Sequence, residues 1–427
     1  MVKFFHLCFG TIFSVIIQTH SSGLCEKNDA IDCVQTSESV SKAEKYLPEF
    51  NARSKNYDQW KEFYNLIEES FQNNSDSHKS NSDEDNCDVF LPLIESDLVY
   101  FEKIFSKNFL TKEILSKMIQ SKRGVHYQII DGKLYRQSNC MFPSRCEGIE
   151  HFLLRIIKQL PNIDLVINVR DYPQVPKYYS LDQQWPIFSF SKESNKFADL
   201  IYPAWTFWSG GPALDIYPNG IGRWDQRSQS LIRKQNQLPW SKKKSIAFFR
   251  GSRTSHHRDP LIHLSRSHPD LINASYTKNQ AWKSKADTLG EEPAQTVPFE
   301  EHCHYRYLIN AHGVAASFRF KHLFLCRSLV LNIESDWIEF FYPPLKKWMH
   351  FVPVDRNLND LLKVLEFLEQ NQLIASRIAK RGFDFIKKEL TLKKIECYWL
   401  NLLLQYSDRL IAYRPNHPDS NMILIYK

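Results

Sequence analysis

Three features of the sequence predict an α/β protein of two domains. A chain of 427 residues, 43% hydrophobic and 14% aromatic, carries enough apolar material to bury two cores. Its second half contains two units in which an apolar, strand-like run breaks into a loop of small residues, hydroxyls and arginines and resumes as a helix. That is the pattern of a parallel sheet with functional loops at its carboxyl edge. Its first half holds a further apolar strand, Asp164 to Val169, closed by a turn that contains Asp171.

The amino terminus, Met1 to Ile17, has a basic start and a short apolar run, with small residues following at Ser21, Ser22 and Gly23. This is the pattern of a signal peptide over residues 1–23. The run is shorter than the roughly 20 residues a spanning helix needs, and no later stretch is long and apolar enough. A soluble protein of the secretory pathway, with no membrane span in the mature chain, is therefore expected. Cleavage removes Cys8 and leaves Cys25, Cys33, Cys87, Cys140, Cys146, Cys303, Cys326 and Cys397 in an oxidising compartment. The even number suits four disulfides, with on the order of a hundred pairings open. Asn73 and Asn273 open sequons for N-glycans. Residues 24–86 read as a polar, partly disordered extension, with a helical patch from Tyr57 to Phe71 and a Ser/Asn/Asp-rich linker after it. Asp83-Glu84-Asp85 has the D-x-D spacing of a metal site, but a solvated acidic run lacks the rigid surround such a site needs.

The first folded domain is predicted over residues 87–235. Tyr127 to Tyr135 reads as a hairpin turning at Asp131-Gly132, Ile149 to Leu160 as a helix and Asp164 to Val169 as a strand. Asp171 lies just past that strand, where catalytic groups of α/β folds gather; the alternative is a turn or capping aspartate. Ile187 to Phe190 is a further strand. The aromatic and glycine-rich run Tyr202 to Pro212 suits either a sugar or core packing. From Ile221 to Asp225 the chain leads through a polar helix to Trp240.

The second domain is predicted over residues 236–395. Its first unit is a strand from Ser245 to Phe249, a turn that Gly251 permits, and a loop in which Ser252, Thr254 and Ser255 offer hydroxyls and Arg253 and Arg258 offer permanent cations. Pro260 stands in the first turn of the helix that follows. In the second unit, Leu308 to Arg327, Gly313, Ala315 and Ala316 let a ligand approach the backbone. Ser317 reads as an N-cap, and Phe320, Leu323, Phe324 and Arg327 recur at helical spacing. Arg319 then stands in a first turn, where a cation is unfavourable unless an anion is bound. The first loop alone is also compatible with a solvated basic turn; the two together suggest a nucleotide diphosphate held between two helix starts. A strand from Leu329 to Ile333, the segment Trp337 to Tyr342, and helices over Leu358 to Asn371, Leu373 to Leu390 and Leu392 to Tyr413 follow. A net charge of +7 and a pI of about 8.7, with few basic blocks beyond Lys242 to Lys244, argue against nucleic acid as a partner. His302-Cys-His304 lacks metal-ligand spacing, and neither a nucleophile elbow nor a Walker loop is present.

Five segments, Cys140 to Cys146, Val166 to Pro176, Phe248 to Ser255, Tyr276 to Lys283 and His312 to His322, closely resemble the protein O-glucosyltransferases of the Rumi type, which belong to glycosyltransferase family 90. The likeness runs in one order from about Asn86 to Ile411. It implies a GT-B fold of two Rossmann-like domains, with a C-terminal helix and tail, residues 396–427, returning to the first. It also implies UDP-glucose as donor, neither metal nor cofactor, and inverting transfer to serine in C-x-S-x-[PA]-C sequences of EGF-like domains such as those of Notch-type receptors. By match of motif, Asp171 corresponds to the catalytic base, and Ser252, Arg258, Val314, Ala315, Ala316, Ser317, Phe318 and Arg319 to donor-binding positions. Tyr217 corresponds to another donor contact, although the sequence around it departs from the family. Met141, Phe142, Pro143, Ser144 and Arg145 would face the acceptor. The resemblance pairs Cys87 with Cys397, Cys140 with Cys146 and Cys303 with Cys326, which leaves Cys25 to Cys33. A monomer of the endoplasmic-reticulum lumen is expected, with secretion as the alternative because the chain closes on Ile423-Leu-Ile-Tyr-Lys427 without a K-D-E-L-like signal. Two other possibilities stay open: a xylosyl donor, and a non-catalytic lectin or chaperone that grips EGF-like domains.

Overall fold

A computed structural model of the chain describes residues 56–72, 85–211, 221–279 and 281–426. The signal peptide, Cys25, Cys33, Asn73 and Tyr217 lie outside the described residues. In the first half, helices α1 (Tyr57–Gln72), α2 (Leu91–Ile104) and α3 (Lys112–Gln120) precede strands β1 (Val125–Ile130) and β2 (Lys133–Gln137), helix α4 (Pro143–Ile156), and strands β3 (Ile163–Ile167), β4 (Phe188–Ser189), β5 (Lys192–Glu193) and β6 (Leu200–Ile201). The second half carries α5 (Trp224–Asn236), β7 (Lys244–Gly251), α6 (Asp259–Ser267), β8 (Ile272–Tyr276), α7 (Phe299–His302), β9 (Tyr305–Asn310) and α8 (Phe320–Phe324). After these come β10 (Leu329–Ile333), β11 (Trp337–Ile338), β12 (Val352–Val354), α9 (Leu361–Gln370), α10 (Gln372–Glu389), α11 (Leu392–Arg409) and β13 (Met422–Ile425). Among the described residues no helix is long and apolar enough to cross a membrane.

The second sheet, ordered β12-β10-β9-β7-β8, is parallel throughout, as the two strand-loop-helix units require. Its strands are apolar on both faces because both are covered. Phe248, Leu308 and Val330 point into one core, while Ala247, Phe249, Tyr307, Ile309, Leu329 and Leu331 point into another, following the two-residue period of a strand.

The first sheet is mixed rather than parallel throughout. Its order is β13-β2-β1-β3-β4-β6, and only β3, β4 and β6 run parallel. The cause is the hairpin. A two-residue connection can join only antiparallel strands, and Asp131 (φ 49°) and Gly132 (φ 70°) both take the left-handed conformation that a tight type I′ turn demands. The tail, expected to return with the last helix to the first domain, adds β13 along β2 there.

Two connections tie the halves together. β5 pairs with β11, and α11 returns to pack on α2 and α4, burying Tyr398, Trp399, Leu402, Leu403 and Tyr406. The Cys87–Cys397 disulfide fastens that return, with Cα atoms 5.9 Å apart; Cys140–Cys146 and Cys303–Cys326 are also formed. The N-terminal extension contributes more than a polar lead-in. Trp60, Phe63, Tyr64 and Ile67 of α1 stand at i, i+3, i+4 and i+7, an apolar stripe that enters the second-domain core. There Phe63 stacks on Phe367 at 4.7 Å and the Tyr64 hydroxyl donates to Asn371 Oδ1 at 2.8 Å.

Candidate active site

Asp171 sits on a turn that is braced from beneath. The Asn168 side chain donates to Tyr172 O (2.8 Å) and to Ser189 Oγ (2.9 Å) and accepts from the Arg170 N–H (2.8 Å). Buried Asp199 accepts from the N–H groups of Gln174 (2.7 Å) and Val175 (2.8 Å) and from the Ser189 hydroxyl (2.6 Å). A carboxylate on this frame is held by its neighbours and still faces solvent, its side chain 48% exposed. Arg145 lies 3.1 Å away. Its Nη1 also donates to Val169 O at 2.7 Å, and its guanidinium lies over the rings of Phe142 (4.2 Å) and Trp205 (4.6 Å). Pro143 opens α4, so Pro143, Ser144 and Arg145 form its first turn, while Met141 and Phe142 project exposed before it. Arg145, expected to face an acceptor, thus also forms an ion pair with Asp171. A cleft of about 760 Å³ lies beside this turn, lined in part by Tyr172, Pro173, Tyr178 and Phe197.

Across from this frame stand the two loops at the carboxyl edge of the parallel sheet. Arg258 is buried and spans both: its guanidinium donates to Ser252 O (2.8 Å) in one loop and to Ala311 O (2.9 Å) and His312 O (2.8 Å) leading into the other. Arg253 is not free for a ligand, since it forks onto Asp259 at 2.8 and 2.6 Å. Arg319 is different. Its buried Nη1 has no hydrogen-bond partner among the described residues, and its guanidinium lies 4.5 Å over the Phe249 ring. Burial, and then the charge of Arg258, hold it well below the usual arginine range. A cation so placed draws an anion, because a bound anion would relieve both penalties. Beside the first loop a cavity of about 380 Å³ is lined in part by Thr254, His256, Thr277, Asn279 and Trp282.

Two local expectations are corrected here. Gly251 remains within β7; its function is to make room, because a Cβ there would lie 2.4 Å from Arg319 Nη2. Ser317 is not a side-chain cap. α8 begins only at Phe320, with Arg319 at the capping position, two residues past Ser317. Ala315, Ala316 and Ser317 are buried, Val314 is exposed, and Phe318 reaches the other half, 4.9 Å from Phe190 and 5.8 Å from Trp205. Asn273 of β8 accepts from Arg250 through its side-chain oxygen (2.7 Å) and its carbonyl (3.0 Å).

The profile of Glycosyl transferase family 90 matches residues 82–426. The chain belongs to glycosyltransferase family 90. It is 49% identical over 363 residues to Protein O-glucosyltransferase 1 of Homo sapiens, which covers 84% of this chain and 89% of the human protein. It is 50% identical over 316 residues to O-glucosyltransferase rumi of Drosophila melanogaster, covering 73% and 76%. To the O-glucosyltransferase rumi homolog of Anopheles gambiae it is 42% identical over 412 residues, covering 96% of each. As a family 90 member the chain is an enzyme, a glycosyltransferase. Residue-by-residue reasoning missed several residues of this candidate site: Asn168 and Asp199, which brace the Asp171 turn, and Trp205 and Phe249, on which the arginines lie. A signal existed for the first two, since each is a polar residue inside or beside an otherwise apolar strand. None existed for the rings, which read equally as core.

Proposed function

We propose that this family 90 enzyme transfers glucose, with inversion, from UDP-glucose to a serine hydroxyl in C-x-S-x-[PA]-C sequences of EGF-like domains. It works as a monomer in the lumen of the endoplasmic reticulum, without metal or cofactor. The observation that carries the proposal is a solvent-facing carboxylate ion-paired to Arg145, Asp171, in a chain whose second sheet edge holds Arg319 with a buried nitrogen lacking a hydrogen-bond partner among the described residues. The relatives' names support glucose as the sugar and protein as the acceptor.

In this mechanism Asp171 takes the serine proton as Oγ bonds to C1 of the sugar and the bond from C1 to the β-phosphate oxygen breaks. UDP leaves carrying the electron pair of that bond. Arg319, the Ser252 hydroxyl and the loop N–H groups meet the developing charge in the role a metal fills elsewhere. Base and leaving group stand on opposite units, so the proton is removed from the face away from UDP and an α-linked donor gives a β-linked product. The test is to incubate the mature protein with a folded EGF-like domain and UDP-glucose or UDP-xylose, with and without EDTA, and weigh the product. Addition of one hexose, unaffected by EDTA, is expected. Addition of a pentose alone would reassign the donor, no addition would remove the proposal, and strict dependence on added manganese would overturn its metal-free form.

A further inference from the structure

Lys321 has no exposed surface. It lies in α8, one turn past the anion loop, and its ammonium donates to Phe318 O (3.3 Å) and to Thr206 Oγ1 (3.2 Å) while lying 4.6 Å over the Phe207 ring. Its countercharge is Glu339, also buried, on the segment that follows β11 and pairs the second half to the first. The Tyr342 hydroxyl lies beside Glu339 and, with Lys321, favours its charged carboxylate. Burial pushes the Lys321 ammonium down and the Glu339 carboxyl up, each opposed by the other's charge. Two buried opposite charges are a poor source of stability, because their desolvation offsets their attraction and apolar replacements usually do as well. Aromatic side chains surround it, so an apolar pair would fit the setting.

The bonds of Lys321 do, however, join two parts that must keep a fixed distance. Phe318 immediately precedes Arg319, the unpartnered cation of the anion loop. Thr206 immediately follows Trp205, whose ring carries Arg145, the partner of Asp171. We propose that Lys321, countered by Glu339, is a positioning residue that welds the donor loop of the second unit to the frame holding the base in the first, and so sets the spacing between Arg319 and Asp171. The inference rests on the proposed transfer reaction and adds to it a residue that touches neither substrate.

The experiment compares Lys321→Met, the double variant Lys321→Met/Glu339→Gln, and Thr206→Val, each in the full mature chain. Thermal stability, UDP affinity by calorimetry and kcat for transfer to a folded EGF-like domain are the three readouts. The single Lys321→Met variant, left with an uncompensated carboxylate, is expected to melt lower, and the double variant to recover. In the double variant UDP affinity should stay within about threefold, while kcat falls on the order of 10–100-fold, the scale set by misplacing a catalytic group by an ångström or less. Thr206→Val, which keeps the shape and removes one acceptor from the buried ammonium, should lower kcat in the same sense with only a modest fall in melting temperature. A double variant of normal stability and normal kcat would overturn the inference, as would parallel loss of affinity and kcat, which would confine Lys321 to the donor loop. If the double variant does not recover its stability, Thr206→Val decides alone: normal kcat there overturns the inference. Absence of transfer by the wild-type protein would instead remove the proposed function, and the inference with it.

Discussion

Arg258 and Arg319 stand close together at one sheet edge and carry different duties. Arg258 donates to three backbone carbonyls, whereas Arg319 has a buried nitrogen with no hydrogen-bond partner among the described residues. Arg319→Ala should therefore weaken UDP binding by roughly 10–100-fold, the equivalent of one charge-assisted contact of about 1.5–3 kcal/mol, and leave the melting temperature unchanged or raised. Arg258→Ala should weaken binding and also lower the melting temperature, since it unstitches two loops. Calorimetric titration with UDP beside a thermal melt separates the two; unchanged affinity in both variants would move the donor site elsewhere. Asp171→Asn should keep UDP affinity and reduce kcat by on the order of 10²–10⁴, measured with saturating donor, and near-normal turnover would remove Asp171 as the base. Asp171, Ser252 and the residues from Val314 to Arg319 could be named from sequence because their motifs are contiguous. The pairing of Arg145 with Asp171 could not, because it joins a helix start to a strand end 26 positions later in the chain, and only the fold brings them together.

At the scale of elements, the short helix α7 shows how much packing decides. Its last residue, His302, is buried edge-on to Phe248, with Nδ1 facing Pro298 O at 3.0 Å. Burial holds its imidazole down at about 4, with Arg319 and Arg250 adding to the effect and Glu300 opposing it. The usual value is about 6.5. Between those two pH values the unfolded chain binds a proton that the folded chain refuses, so stability rises with pH across the window. The contribution is complete above about pH 6.5 and is lost as pH falls through about 4, a change of about 3 kcal/mol. Melting temperatures of wild type and His302→Phe between pH 7 and pH 4.5 should diverge, the variant falling less; equal slopes would exclude His302 as the source. The sequence displayed His302-Cys-His304 but gave no means of knowing that the first histidine was interior. Long elements with a clear period, such as α10, α11, β7 and β9, were legible. The two-residue strand β4 falls within the predicted run Ile187 to Phe190, but β5, β6 and β11 and the tail strand β13 were not legible, because so short an apolar run has no period, and only pairing partners from distant parts of the chain make it a strand.

At the scale of the whole molecule, the Cys87–Cys397 bond closes a loop of 310 residues and fixes α11 across the first unit. Cys397→Ser should lower stability by roughly 2–5 kcal/mol and reduce activity although position 397 lies away from both half-sites; a melt and an activity assay on the same preparation check this. Wild-type activity with a lowered melting temperature would show that the clamp serves stability alone. The same wiring dictates the order in which the enzyme can mature. The hairpin β1–β2 leaves the ribosome long before Met422 to Ile425, the strand that covers its outer edge, and Cys87 emerges long before its partner. Throughout synthesis the nascent first unit therefore shows an open sheet edge, a template for pairing with other chains, and a thiol without a mate. Chains arrested before Cys397 should react with an alkylating reagent at Cys87 but not at Cys140 or Cys146, whose loop is only six residues apart in sequence. The half of the enzyme made first is the half finished last.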